Sequence, residues 1–368
     1  MTAYGPSCLR GEVPAGERVY AGGKVYQVEA WKLCGVMLMP ELWEPVLVDV
    51  YRARAVVNRY LRPTPLVIPG ALAEALGCDV WLKCENLQPI GAFKVRGGLN
   101  LVSRLTAEER ERGVITASTG NHGQSVAYAA RAFGVRAIVA APEGANPYKV
   151  EAMRRLGAEV VLVGKDFDEA RQWVEETARR DGYRYVHSMN EPLLIAGVAT
   201  AYLEILEEVP DLDYIIVPVG GGSGACGACI VAKALNPSIR VIGVQAERAP
   251  AVYLSWKEGR LRETPACDTF AEGLATRVAF ELPFRILRRY LDDMVLVSEE
   301  EMKEAVVLLL EAAHQLAEGA GAAATAAAMK MRERLAGKKV ALMLSGGNIT
   351  VESLRGILCR PGPGRPGG

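Results

Sequence analysis

From Trp43 to Tyr60 the apolar residues Val46, Val50, Ala53 and Val57 return at helical spacing, and Pro63 and Pro65 end the run. Beyond residue 113 short apolar runs alternate with amphipathic stretches. Residues 114–117 read as a strand. The helix after it takes Asn121 as N-cap, turns Val126, Ala130 and Phe133 inward and stops at Gly134. Residues 135–140 make the next strand. Asn146-Pro147 then supplies a cap and a first-turn proline, Val150, Met153 and Leu156 share a face, Gly157 closes the helix, and 159–163 is a strand again. The same grammar resumes with a helix over 192–208, a strand at 214–219, a glycine loop, a helix to Leu235 and a strand at 241–245. Ser298 with Glu301 forms a capping box for a long helix running toward Ala317, and 339–344 is a last strand. Strand–helix–strand units of this kind predict an α/β protein with open, twisted, mostly parallel sheets flanked by helices, here in two clusters. Upstream, 18–28 reads as a hairpin around Gly22-Gly23.

A chain of 368 residues, 50% of them hydrophobic, buries a large core in one large or two ordinary domains. Lys plus Arg equals Asp plus Glu at 43 each, so no net field recruits nucleic acid or an anionic membrane, and a small-molecule partner is expected. No apolar run is long enough to span a bilayer, and the N-terminus lacks the layout of a signal peptide; cytoplasmic residence is the expectation. The eight cysteines are scattered, which fits free thiols. Cys226 and Cys229 form a lone CxxC with no second pair and only three histidines in the chain, so they read as the first turns of a helix and no metal site is expected.

The chemistry gathers at Lys94, which follows Ala92-Phe93 and is flanked by Gly91, Gly97 and Gly98, residues that let backbone or a flat ligand come close. An ammonium in a partly apolar site has a depressed pKa and becomes a nucleophilic amine, the requirement for a Schiff base with an aldehyde cofactor. A loop lysine on a glycine-rich turn explains the same stretch. Residues Gly220, Gly221, Gly222, Ser223 and Gly224 stand between a strand and a helix, where successive N–H groups converge on a phosphate, although such loops also serve tight packing alone. Ser118, Thr119, Gly120 and Asn121 precede a helix and suit the α-carboxylate of an amino acid, or form a capped turn with no ligand.

Segments 85–98 (ENLQPIGAFKVRGG), 117–125 (ASTGNHGQS), 217–224 (VPVGGGSG), 317–323 (AEGAGAA) and 344–348 (LSGGN) together resemble the pyridoxal-phosphate (PLP) enzymes of the tryptophan-synthase-β structural class. Within that class the likeness is to the threonine/serine dehydratases, which include serine racemases. It runs from about Arg62 to about Ile357. The resemblance implies a large PLP-binding domain of 45–104 and 192–360, a small domain of 105–191 inserted in it, an extension of 1–44 and a disordered tail of 361–368, with the cofactor in the cleft. It implies Lys94 as the cofactor-bearing and catalytic lysine, with Phe93, Asn121, Gly220 to Gly224, Glu318 and Ser345 also binding the cofactor. Asn121 would contact the phenolic oxygen, Phe93 would cover a ring face, and Ser345 would face the pyridine nitrogen and leave the ring neutral. Ser118, Thr119, Gly120, Asn121 and His122 would take the substrate. The activity implied is an L-threonine/L-serine ammonia-lyase in a homo-oligomer, dimer or tetramer. Val95-Arg96 after the lysine is the dehydratase-like form, whereas threonine and cysteine synthases usually have Asp-Arg. Serine racemases share nearly all the motifs and form the alternative, with a PLP-binding protein without turnover as a further one. Gln245 and Ala251 fall where the family's cation site would place acidic side chains, with Glu247 close by. The usual IAGQG reads Ile195-Ala196-Gly197-Val198-Ala199, and no effector-binding module follows the motifs.

Overall fold

The computed structural model describes residues 42–359 and two strands before them. These strands, β1 (Arg18–Ala21) and β2 (Lys24–Gln27), pair antiparallel with Arg18 opposite Gln27, the hairpin expected from the sequence. Its Gly22-Gly23 turn and the 361–368 tail lie outside the described residues.

The unit from Trp43 onward holds two sheets. The larger is built from β3 (Leu66–Val67), β4 (Asp79–Cys84), β9 (Tyr214–Pro218), β10 (Arg240–Ala246), β11 (Asp293–Val297) and β12 (Lys339–Leu344). The smaller comprises β5 (Val114–Ala117), β6 (Ala137–Ala141), β7 (Glu159–Leu162) and β8 (Arg184–Tyr185). Strand order is β11-β10-β9-β12-β4-β3 in the first, parallel except for β3, and β7-β6-β5-β8 in the second, parallel throughout. Residues Ile216, Ile242, Val244, Val340 and Leu342 of the larger sheet pack with the alanine-rich helix Gly319–Lys330 and the helix Glu299–Ala313. Helix Ser223–Leu235 also packs on β9 and β10, and two of the helices that pack on helix Pro192–Glu208, Val95–Ser103 and Ser223–Leu235, lie close enough to need glycine. A Cβ on Gly97 would come 2.9 Å from the Leu194 carbonyl, and one on Gly227 2.9 Å from Ala199 Cα.

Several expectations change at this level. Val46 is not on the inner face: it precedes helix Leu47–Val57 and is 55% exposed, while Val50, Ala53 and Val57 are buried. Asn121 is the first residue of helix Asn121–Phe133 rather than its cap, which is Gly120, because its side chain is taken by Glu318 and Asn348. The helix opened by Ser298 ends at Ala313, where His314 takes a left-handed φ of 54°, short of Ala317. Gly97 and Gly98 belong to a helix and not to a turn; a Cβ on Gly98 would lie 2.5 Å from Ser125 Oγ, so what comes close to these glycines is other helices. Strands β3, β4, β8 and β11 had no pattern long enough to announce them.

Candidate active site

Lys94 stands at the start of helix Val95–Ser103, where remote parts of the chain hold it. Phe93 N–H donates to the Ser345 carbonyl (3.0 Å), Ala92 bridges to Gly346, and Ser125 Oγ donates to the Lys94 carbonyl (2.6 Å). The Lys94 ammonium donates to Ser223 Oγ at 3.1 Å and lies 5.3 Å from the Phe93 ring centroid, with no carboxylate of the described residues paired to it. Burial alone pushes this amine down to about 8.

Beside the lysine lies a paired set of buried charges. Arg96 sends Nε and Nη2 to the two Glu85 oxygens (2.8 and 2.7 Å) and Nη1 and Nη2 to Glu204 (2.6 and 2.8 Å). Lys83 Nζ donates to Glu204 (2.6 Å) and to the Thr64 carbonyl (2.8 Å). Burial raises the Glu85 carboxyl, but Arg96, Lys83 and the Thr64 hydroxyl together outweigh it and hold the group below its ordinary value. Two cations and two anions thus join β4, the lysine helix and helix Pro192–Glu208.

In the glycine loop Gly222 has φ 101°, in the left-handed region that favours glycine. Cβ atoms on Gly220 and Gly221 would strike the Gly273 carbonyl oxygen (2.2 Å) and Met189 Sδ (1.8 Å), and one on Gly224 would meet Phe93 at 3.4 Å. Amides at a helix start lack an intrahelical acceptor, and none of those from Gly220 to Gly224 is bonded to a loop or turn carbonyl of the described residues. Elsewhere in the site, Asn121 Nδ2 donates to Glu318 (2.7 Å), and its Oδ1 accepts from Asn348 (2.7 Å), which also donates to the Ile90 carbonyl (2.8 Å). Burial raises the Glu318 carboxyl, opposed by the charge of Lys149 and the Asn121 bond. Ser118 Oγ accepts from Gly120 and Gly123 N–H (3.1 and 2.8 Å), and Ser345 Oγ lies 3.5 Å from the Ala320 carbonyl. Thr119 is half-buried. His122 turns its Nε2 to Thr116 Oγ1 (2.9 Å) and the Val186 carbonyl (3.3 Å); burial first and the Lys94 charge second push it down to about 3, leaving a neutral packing imidazole. Asn348, quoted only as the end of the 344–348 segment, and Lys149 were not read as site residues from the sequence, since their partners are remote in the chain.

Away from this cluster, Cys226 and Cys229 are buried free thiols on helix Ser223–Leu235. Gln245 Oε1 accepts Tyr253 N–H (2.8 Å), its Nε2 has no partner among the described residues, Ala251 opens a helix, and Glu247 pairs with Lys330. Among the described residues no group of three or more His, Cys, Asp or Glu is arranged for a metal ion.

A family model described as "Pyridoxal-phosphate dependent enzyme" matches residues 57–346. The chain belongs to this family. An L-threonine ammonia-lyase of Thermotoga maritima is 41% identical over 312 residues, 85% of this chain and 78% of the relative. A threonine deaminase of solved structure, from the organism abbreviated T.th., superposes with TM-score 0.79 at 37% identity over 83% of this chain and 99% of its own. Maize serine racemase gives 0.82 at 29% identity over 86% and 97%. The fold is that of these PLP enzymes: a mixed six-stranded sheet and a parallel four-stranded sheet flanked by helices.

The residues fit the cofactor. A desolvated amine with no counter-ion among the described residues, amides with no loop or turn acceptor among them on a loop closed to any side chain, and a serine at the end of β12 are the donors that an aldehyde, a phosphate and a ring nitrogen require.

Proposed function

We propose that the protein is an L-threonine/L-serine ammonia-lyase, releasing 2-oxobutyrate or pyruvate with ammonia. The observation that carries this is Lys94: a half-buried lysine whose desolvated amine has no carboxylate partner among the described residues and lies 3.1 Å from the hydroxyl that opens the glycine-loop helix. Support comes from curated relatives named L-threonine ammonia-lyase at 41% and 40% identity and L-threonine dehydratase at 37%.

Bound here, pyridoxal phosphate supplies an aldehyde for amine capture and an electron-accepting ring. The amides of Gly220 to Gly224 and the Ser223 hydroxyl would hold its phosphate, and Phe93, Asn121 and Ser345 would hold its ring. Ser118, Thr119 and Gly120 receive the substrate carboxylate at the start of helix Asn121–Phe133. Lys94 would take the α-proton, and the β-hydroxyl would leave as water once it gains a proton. The released enamine hydrolyses in water to the 2-oxo acid and ammonia. His122 braces the loop from behind through Thr116.

The same proposal takes 105–191 as the small domain, supported by the four strands of the smaller sheet, which all fall within it. A homo-oligomer and cytoplasmic residence complete it. No described helix is long and apolar enough to cross a membrane.

Serine racemase is the competing reading, favoured by the maize structure. Racemisation needs an acid on the ring face opposite the lysine, and Thr119 is the hydroxyl available. Its β-branching restricts the rotamers that could present the oxygen. Elimination is expected to exceed D-isomer formation at least about tenfold, equivalent to about 1.4 kcal/mol in barrier. Chiral chromatography of L-serine turnover in D₂O measures it; equal fluxes of deuterated D-serine and pyruvate would transfer the assignment to a racemase.

A further inference from the structure

Helix Pro147–Arg155 lies between β6 and β7 in the chain and packs on helix Asn121–Phe133. Its Lys149 reaches out of that layer and pairs with Glu272, which opens the 3-10 turn Glu272–Leu274 packed on helix Gly319–Lys330 of the larger sheet. The ion pair therefore spans from one sheet's layer to the other's. On the way the lysine passes the carboxylate-binding loop: a Cβ on Gly120 would sit 3.7 Å from Lys149 Cδ and 3.9 Å from its Nζ. Within the lysine's electrostatic reach is also half-buried Glu318, which Lys149 pulls down and Glu272 pushes up.

The two ends of this pair are unlike. The Lys149 side chain is 12% exposed, and that of Glu272 is 51% exposed. An ammonium has three N–H donors, and among the described residues Glu272 is its one hydrogen-bonded carboxylate. A half-exposed partner is readily supplemented or displaced, because solvent screens its attraction. An amino acid whose carboxylate lands on Ser118, Thr119 and Gly120 would bring a second anion beside this ammonium.

Resting on the amino-acid reading of the site, we propose that Lys149 is a specificity-determining residue: it supplies the positive charge that recognises the substrate's α-carboxylate, with Glu272 as its resting partner from the other layer. The loop amides orient the carboxylate, and Lys149 makes its negative charge a condition of tight binding. Amines of similar size without that charge are rejected.

The test uses PLP-loaded enzyme and two probes that cannot eliminate a β-hydroxyl, L-alanine and ethylamine, each titrated by the change in the cofactor's visible absorbance. Lys149→Met should lower the preference for L-alanine over ethylamine about tenfold, the worth of one charge-assisted hydrogen bond. Lys149→Arg should restore most of it. On L-threonine the Met variant should raise KM by a similar factor with kcat changed less. An unaltered preference ratio in a Met variant that still carries PLP would overturn the proposal. Should that variant fail to load, Glu272→Gln takes its place: freeing Lys149 from its resting carboxylate should raise the ratio, and an unchanged ratio, with both probes weakened equally or not at all, would reduce the pair to a structural brace and overturn the proposal. Wild-type enzyme that binds both probes but turns over no β-hydroxy amino acid would refute the ammonia-lyase reading while the probe ratio still judged Lys149.

Discussion

Lys83 and Lys94 stand eleven residues apart, one near the end of β4 and the other at the head of the next α-helix; Lys83 is buried and Lys94 half-buried, its amine shielded from water. Lys83 meets Glu204 and a backbone carbonyl, inside a net in which every cation has a carboxylate. Lys94 meets a serine hydroxyl and an aromatic ring. The same side chain is thus a structural charge in one setting and a nucleophile in the other, and the difference lies in what surrounds it. Committing Glu85 and Glu204 to Arg96 and Lys83 keeps the nearby carboxylates off the reactive amine.

The largest break in this contrast is removal of the reactive amine. Lys94→Ala should lower turnover by at least about a thousandfold, from loss of both the base and the amine that carries the cofactor, while the glycine loop still retains PLP weakly. Borohydride reduction of wild-type enzyme followed by peptide mass spectrometry should place the cofactor on Lys94; finding it on Lys83 or Lys149 would reverse the assignment.

Breaking the other side should cost stability instead. Arg96→Met strands Glu85 and Glu204 without their shared partner, a loss of about 3–5 kcal/mol for a buried pair, read from denaturant unfolding of the apoprotein. Adding Glu85→Gln removes one stranded charge and should recover part of it. A neutral outcome for Arg96→Met would mean that the net contributes little beyond filling space.

The smallest effect is one of pH. Because the fold lowers the Lys94 amine from 10.5 to about 8, the cost of burying its ammonium is present in full below about pH 8. That cost is relieved as pH rises toward 10.5, so this group's contribution to apoprotein stability increases over that window. Acylation of Lys94 in apoprotein should follow a midpoint near pH 8, well below that of exposed lysines; a midpoint near about 10, the ordinary lysine value, would mean the amine is hydrated in solution.

What the sequence revealed was whatever a local pattern encodes. Lys94, the glycine loop, Ser345 at the end of β12 and the helix starting at Pro147 were legible because each depends on neighbours within a few residues. Asn121 was misjudged as a cap because its real partners, Glu318 and Asn348, are about two hundred residues away. Gly97 and Gly98 looked like a turn because glycine signals close approach without saying to what; here the answer is Leu194 and Ser125 on two other helices. Strand β4 carries Lys83 among apolar residues, so its run was too short to stand out. The net around Arg96 joins residues 64, 83, 85, 96, 200 and 204, a grouping that only tertiary structure assembles.

The order β9-β12-β4 puts the last strand of the larger sheet at its centre, with Ser345 just past its end holding Phe93 in place. On a ribosome, the two halves of that sheet emerge without the strand that joins them, and their facing edges wait for residues 339–344. The candidate cofactor site is therefore completed only after that strand has been made. A chain stopped before residue 339 would carry Lys94, the glycine loop and Asn121 and still lack the seam that aligns them.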